Sequence, residues 1–208
     1  MLTTEICLSF FGIAVLLALA PGPDNLFVLM QSALWGPRAG LFVVFGLCTG
    51  LVGHTLAVAV GLAAVFAASQ TAFTVLKLVG AVYLAYLAWG AFRAHGQMMQ
   101  GEKLPRRTGG ELYRRGIIMN LTNPKVSLFF LAFLPQFTSP DRGSVAMQTV
   151  YLGLLFMLAA LLVFGSIAFF SGAFGTLLQR SVRAQKILNR TAGTVFLGLA
   201  LKLAFMHR

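Results

Sequence analysis

The chain has 208 residues and a formal net charge of +11, yet only 10% of its residues are charged while 58% are hydrophobic, and its mean hydropathy is +0.85. That balance excludes an ordinary water-soluble domain and identifies an integral membrane protein. A helical span needs about 20 apolar residues, so this length accommodates six spans joined by short loops.

The apolar runs predict an all-α polytopic protein with spans over residues 6–35, 39–68, 72–92, 116–137, 145–178 and 188–205. The first is interrupted at Ala20-Pro21-Gly22-Pro23-Asp24-Asn25. Pro21 and Pro23 lack the N–H groups that would bond the carbonyls of Leu17 and Leu19. A bilayer offers no substitute partner, so such a break is expected to be buried in protein or to line a wet cavity. Asp24 has two readings. It suits the N-cap of the resumed half-helix, and an acid at membrane depth also suits a substrate ammonium or a coupling proton. Asn25 adds an amide partner, and Gln31, two turns further on, is a weaker pathway candidate.

In the second span, His54 serves either as a hydrogen-bonded core residue or in proton relay and substrate contact. Gly46 and Gly50 make a small-x-x-x-small step that permits close helix approach, within the chain or in a homo-oligomer. Cys7 and Cys48 lie in apolar runs and read as small core residues rather than a disulfide pair. Tyr83, Tyr86 and Trp89 in the third span read as packing and interface anchors, and Lys77 as a snorkelling lysine. Residues 94–115 are the one long polar stretch and divide the spans three and three.

The fourth span repeats the theme of the first, at Asn120-Leu121-Thr122-Asn123-Pro124-Lys125. Pro124 releases the carbonyl of Asn120, and alanine there is expected to favour a continuous helix. Asn120, Thr122 and Asn123 supply amide and hydroxyl groups, while Lys125 can complement a carboxylate or pair with Asp24. Each half opens with a broken span, and the halves run in opposite directions. The expected architecture is therefore a single transporter domain over 1–208, built as two inverted three-helix repeats, about 1–93 and 116–208, with broken helices 1 and 4 and a site at the midplane.

Eleven of the sixteen bases fall in the first, third and fifth loops, against Arg142 and Arg208 on the other side. The positive-inside rule puts those three loops in the cytoplasm and both termini outside. This placement argues against a nucleic-acid partner and for contact with the lipid bilayer. Ala18-Leu19-Ala20 imitates a signal-peptidase site, but residues 1–5 carry no Lys or Arg and Pro21 would follow the cut, so no cleavage is expected. The sequence holds no HExxH, GxSxG or phosphate-binding loop and no metal-spaced Cys or His cluster, so no catalysis, metal or cofactor is expected.

At these residues the chain resembles the lysine exporter (LysE) superfamily, in particular its RhtB-type branch of threonine and homoserine efflux proteins. The matching stretches are Pro21-Gly22-Pro23-Asp24-Asn25, Leu76-Lys77-Leu78-Val79-Gly80-Ala81-Val82-Tyr83-Leu84 with Gly90, Gly116 with Asn120-Leu121-Thr122-Asn123-Pro124-Lys125, and Phe133-Leu134-Pro135-Gln136-Phe137. The resemblance implies an inner-membrane exporter of amino acids or close derivatives, driven by protons or by substrate exchange. Some relatives carry an acid inside the second or fifth span, whereas residues 40–67 and 145–174 here contain none. Asp24 is thereby the main intramembrane candidate for coupling. The expected function is secondary-active export by alternating access. The rivals are a passive channel for a small polar solute and a noncatalytic membrane-assembly subunit.

Overall fold

A computed structural model describes residues 2–68, 70–93, 106–171 and 182–205. The regular structure among them is helical: α1 (Thr4–Leu19), α2 (Pro23–Trp35), α3 (Pro37–Ala68), α4 (Gln70–Arg93), α5 (Gly109–Leu121), α6 (Pro124–Leu128), α7 (Val145–Phe169) and α8 (Val182–Phe205). α6 runs on through a π-helical turn, Phe129–Phe133, and a 3-10 turn, Leu134–Phe137.

Local chemistry sets the helix ends. Thr3 caps α1 by accepting the Ile6 N–H at 3.4 Å. α2 starts with Pro23 in its first turn, after an extended Gly22. It stops at Gly36, whose φ of +87° suits glycine, and α3 follows at once with Pro37. Thr108 and Glu111 form a reciprocal capping box on α5. That box explains one departure from expectation. Residues 109–115, assigned from sequence to the polar loop, are instead the first two turns of α5, with Arg114 and Arg115 exposed on them. α8 likewise starts at Val182 rather than near residue 188. Residues 94–105 and 172–178, with Lys103, Arg180 and Arg208, lie outside the described residues.

Among the described residues, two helical stretches, Pro37–Gly61 and Val145–Phe169, are long and apolar enough to cross a membrane, and the number is four if each bent pair counts as one span. The bent pairs are α1 with α2, at 62°, and α5 with Pro124–Phe137, at 48°. Val60 is 76% exposed, Val82 70% and Phe205 75%. Large apolar side chains standing outward on several helices suit lipid as the surrounding medium. The chain is a polytopic, all-helical membrane protein.

α3 packs along α5 and α7, α4 packs on α8, and α1 lies against α7. At the α3–α5 crossing a Cβ on Gly46 would strike the Tyr113 carbonyl, and one on Gly116 would strike that of Val43. The small-x-x-x-small step is thus an internal contact in which two backbones meet. One turn along, a Cβ on Gly50 would stand 2.7 Å from Asn120 Oδ1. The same crossing therefore seats Asn120, and with it the second break, directly against α3.

Candidate functional site

The two helix breaks, about a hundred residues apart in sequence, are bonded to each other. Asn123 Nδ2 donates to Asp24 Oδ2 at 2.7 Å. Lys125 Nζ reaches the other way, donating to the carbonyls of Leu17 at 3.2 Å and Ala20 at 3.0 Å. Leu17 is the residue whose helical donor Pro21 removes, so a lysine from the second break replaces the missing backbone N–H. The Asn120 carbonyl, freed by Pro124, accepts the Asn123 N–H at 3.1 Å and His54 Nε2–H at 3.2 Å. Asn25 Nδ2 donates to the Ala18 carbonyl at 2.7 Å.

Asp24 does not cap α2. Gly22 occupies the cap position and bears no side chain, while the Asp24 carboxylate turns across to Asn123. Capping belongs to the second break, where Asn123 Oδ1 accepts the Lys125 N–H at 3.0 Å. One amide thus ends the break and holds the acid. Asp24 and Lys125 do not bond each other; their contacts go to intermediaries, Asn123 and the α1 carbonyls.

Both charges are inside the protein, Asp24 at 1% exposure and Lys125 at 7%. They line a cavity with Asn120, Leu51 and Phe156 of about 10 Å³, roughly the room one water needs. Asp24 Oδ1, Asn25 Oδ1 and Asn120 Oδ1 are buried without a partner. All three are acceptors, and their complement is an N–H-rich group; Lys125, with two of its three donors engaged, keeps one for an anion. The chemistry of the site is complementary to a zwitterion.

The other expected residues divide. Gln31 is fully buried with both amide atoms unpartnered, and Ser32 Oγ beside it is unpartnered too. Seven and eight residues after Asp24, they share its face of α2. His54 is half-buried, its ring 5.6 Å from that of Phe130. Pro21 and Gly22 are half-buried, Pro23 and Pro124 exposed. Thr122 is exposed and bonds back to the Ile118 carbonyl at 2.8 Å, away from the cavity. Sequence reasoning passed over an aromatic layer beside Lys125. Phe129 lies 5.1 Å from Phe133 and 5.2 Å from Phe156, which in turn is 5.2 Å from Phe130. Its signal was the run of Phe129, Phe130, Phe133 and Phe137 at helical spacing. No group of three or more potential metal ligands occurs among the described residues.

A buried acid and base held at paired helix breaks, in an apolar all-helical chain, is the arrangement of a membrane transport protein. The chain belongs to the LysE type translocator family, whose sequence pattern matches residues 15–207. It is similar to the homoserine/homoserine lactone efflux protein of Salmonella typhimurium, with 32% identity over 202 residues that cover 94% of each chain. It is also similar to the leucine efflux protein of an Enterobacter species, 28% identical over 93% of this chain and 92% of that one. An uncharacterized membrane protein of Bacillus subtilis is 28% identical over 94% of this chain and 96% of its own. No solved structure matches the chain.

Proposed function

We propose that this protein is a secondary-active exporter of amino acids or close derivatives in the bacterial inner membrane, working by alternating access between two inverted halves. The observation that carries the reading is the reciprocal satisfaction of the breaks, with Asp24 held by Asn123 and Lys125 held by the carbonyls of Leu17 and Ala20. A zwitterion can replace those contacts group for group, its ammonium at Asp24 and its carboxylate at Lys125. Relatives named for efflux of homoserine and leucine support amino acids as the cargo.

The cavity of about 10 Å³ is too small for an amino acid, which fits an occluded state that opens to one side at a time. Gln31 and Ser32 provide a polar face from Asp24 toward the end of α2, and the aromatic layer follows Lys125 in the π-helical turn after α6. Exchanging the halves 1–93 and 116–208 turns the α1–α7 contact into α5–α3 and returns α4–α8 and α3–α7 to themselves, all of them packed pairs. That correspondence supports the inverted repeat. The 24-residue α4 and α8 are about 36 Å long, enough to bring the spans to six. Arg93 lies 4.3 Å over the Trp89 ring and Arg106 5.8 Å over that of Trp35, an interfacial belt that favours a cytoplasmic 94–115 segment and outward termini. Protons or exchanged substrate are the coupling species.

Proteoliposomes test the reading. With leucine and homoserine as probes, movement against a concentration gradient that depends on a pH difference or on counter-substrate is expected. Equilibration without accumulation would establish a channel, and no flux at all a noncatalytic subunit.

A further inference from the structure

A second space adjoins the polar centre. Between α1, α2 and α7 lies a crevice of about 390 Å³, walled by Phe11, Val15, Leu29 and Val163, with Pro21 and Asn25 of the first break at its edge. None of its lining residues is charged. At its mouth Leu26 is 45% exposed and Leu162 54%, so it opens toward the lipid face.

The crevice and the polar cavity stand back to back. Consecutive residues line one and then the other, Asp24 facing the cavity and Asn25 the crevice on α2, Phe164 and Val163 doing the same on α7. The two spaces thus lie on neighbouring faces of α2 and of α7. Asn25 links them, since its amide nitrogen bonds the carbonyl of Ala18, a cavity residue, and its unpartnered Oδ1 lies beside Gly22 along with Lys125 Nζ. The polar cavity holds no apolar volume for a side chain, whereas the crevice has the size and lining of an ordinary small-molecule pocket.

We infer that the crevice receives the side chain of the exported amino acid, and that the substrates of this chain are neutral aliphatic amino acids rather than basic or acidic ones. The inference rests on the amino-acid export proposed above. With ammonium and carboxylate at Asp24 and Lys125, the side chain leads past Asn25 into the crevice. A cationic or anionic side chain would find no partner there. A bilayer acyl chain could fill the same volume, but it would make no use of the Asn25 acceptor and would leave side-chain ranking untouched.

The test is counterflow in proteoliposomes with alanine, leucine, phenylalanine and lysine as probes. Three variants are compared with the wild type: Ser166→Phe to fill the crevice, Ser166→Ala as its control, and Leu29→Ala to enlarge it. Ser166 bonds within its own helix, to the Leu162 carbonyl at 2.6 Å, so its replacement removes no hydrogen bond between helices. Wild-type protein is expected to prefer leucine over alanine and to reject lysine. Filling should lower the leucine-to-alanine ratio by about tenfold, within the range hydrophobic pockets reach per methylene. Ser166→Ala should keep the ratio, and Leu29→Ala should raise the phenylalanine-to-leucine ratio. Ratios that stay within about twofold in both the filled and the enlarged variant, or lysine carried as readily as leucine, would overturn the inference. Wild-type vesicles that move no amino acid would overturn the export reading itself and the inference with it, a result distinct from export whose ranking ignores the crevice.

Discussion

The first break bends the chain by 62° and the second by 48°, and they are opposite in chemical character. The first has two prolines around Gly22 and exposes acceptors: the carbonyls of Leu17, Ala18 and Ala20 and the Asp24 carboxylate. The second has one proline and presents donors, Lys125 Nζ and the Nδ2 of Asn123, whose amide oxygen also caps the resumed helix. Each break satisfies groups of the other, and neither is fully satisfied within its own span, although Asn25 bonds the Ala18 carbonyl in the first and Asn123 caps the second. The difference explains why they must meet. Hydrocarbon cannot replace a lost partner, so separating the breaks requires water or a polar solute to take over the released groups.

The largest effect is expected where one donor serves two acceptors. Lys125→Met leaves the Leu17 and Ala20 carbonyls buried and unpaired and the Asp24 charge uncompensated. Breaking such a buried arrangement costs about 3–5 kcal/mol. Export should vanish and the unfolding temperature in detergent should fall; a variant with wild-type thermal stability would show that the lysine does not hold the first break. Asp24→Asn comes next. The amide oxygen can still accept from Asn123, so abundance and thermal stability should remain near wild type while the charge for an ammonium is gone. A loss of about 3 kcal/mol in substrate stabilisation corresponds to about a hundredfold drop in efflux. Efflux within a few-fold of wild type at normal abundance would confine Asp24 to a structural role.

Gly22→Ala probes the contact between the breaks from the acceptor side. The φ of −163° is open to any residue, but the new Cβ would stand 3.2 Å from Lys125 Nζ. The ammonium ends a flexible side chain and can give way, so a stability change of about 1 kcal/mol or less is expected. Efflux should fall several-fold as Lys125 is pushed from the Ala20 carbonyl. Unchanged transport kinetics would mean that the lysine position tolerates displacement.

The sequence reveals the breaks because proline deletes a donor wherever it stands, and it reveals Asp24 and Lys125 because charge is costly at membrane depth. It also reveals the tight step at Gly46 and Gly50, though not that Gly116 and Asn120 fill it. The partners across 99 residues of chain are not legible, since Asn123 reads equally as a cap, a turn residue or a ligand until the α3–α5 crossing places it. Of the two readings of Asp24, the cap fails for a related reason. A carboxylate one residue after proline fits the capping pattern, and only the tertiary donor from Asn123 draws it elsewhere. The crevice beside Asn25 has no sequence signal, because its walls are aliphatic residues like those of any span.

The smallest effect sharpens the contrast most. Alanine at Pro124 would restore an N–H within reach of the Asn120 carbonyl and, on sequence grounds alone, should heal the helix and abolish the site. That carbonyl is already engaged, by the Asn123 N–H at 3.1 Å and by His54 at 3.2 Å. Asn123 itself is extended, with φ −76° and ψ 107°, and is fixed by two further bonds, one to Asp24 and one to the Lys125 N–H. A continuous helix would have to break those side-chain bonds, each worth about 0.5–1.5 kcal/mol net and more where a charge is involved, in exchange for one backbone bond. Pro124→Ala should therefore keep the break, with efflux reduced less than threefold or about that. Asn123→Leu, which removes the cap and the bridge but leaves the proline, should be far more damaging. Measuring efflux, membrane abundance and thermal stability for both variants on matched preparations decides the point. If Pro124→Ala is the more damaging of the two, the second break is held by its proline, like the first, and the division into an acceptor break and a self-capped donor break fails.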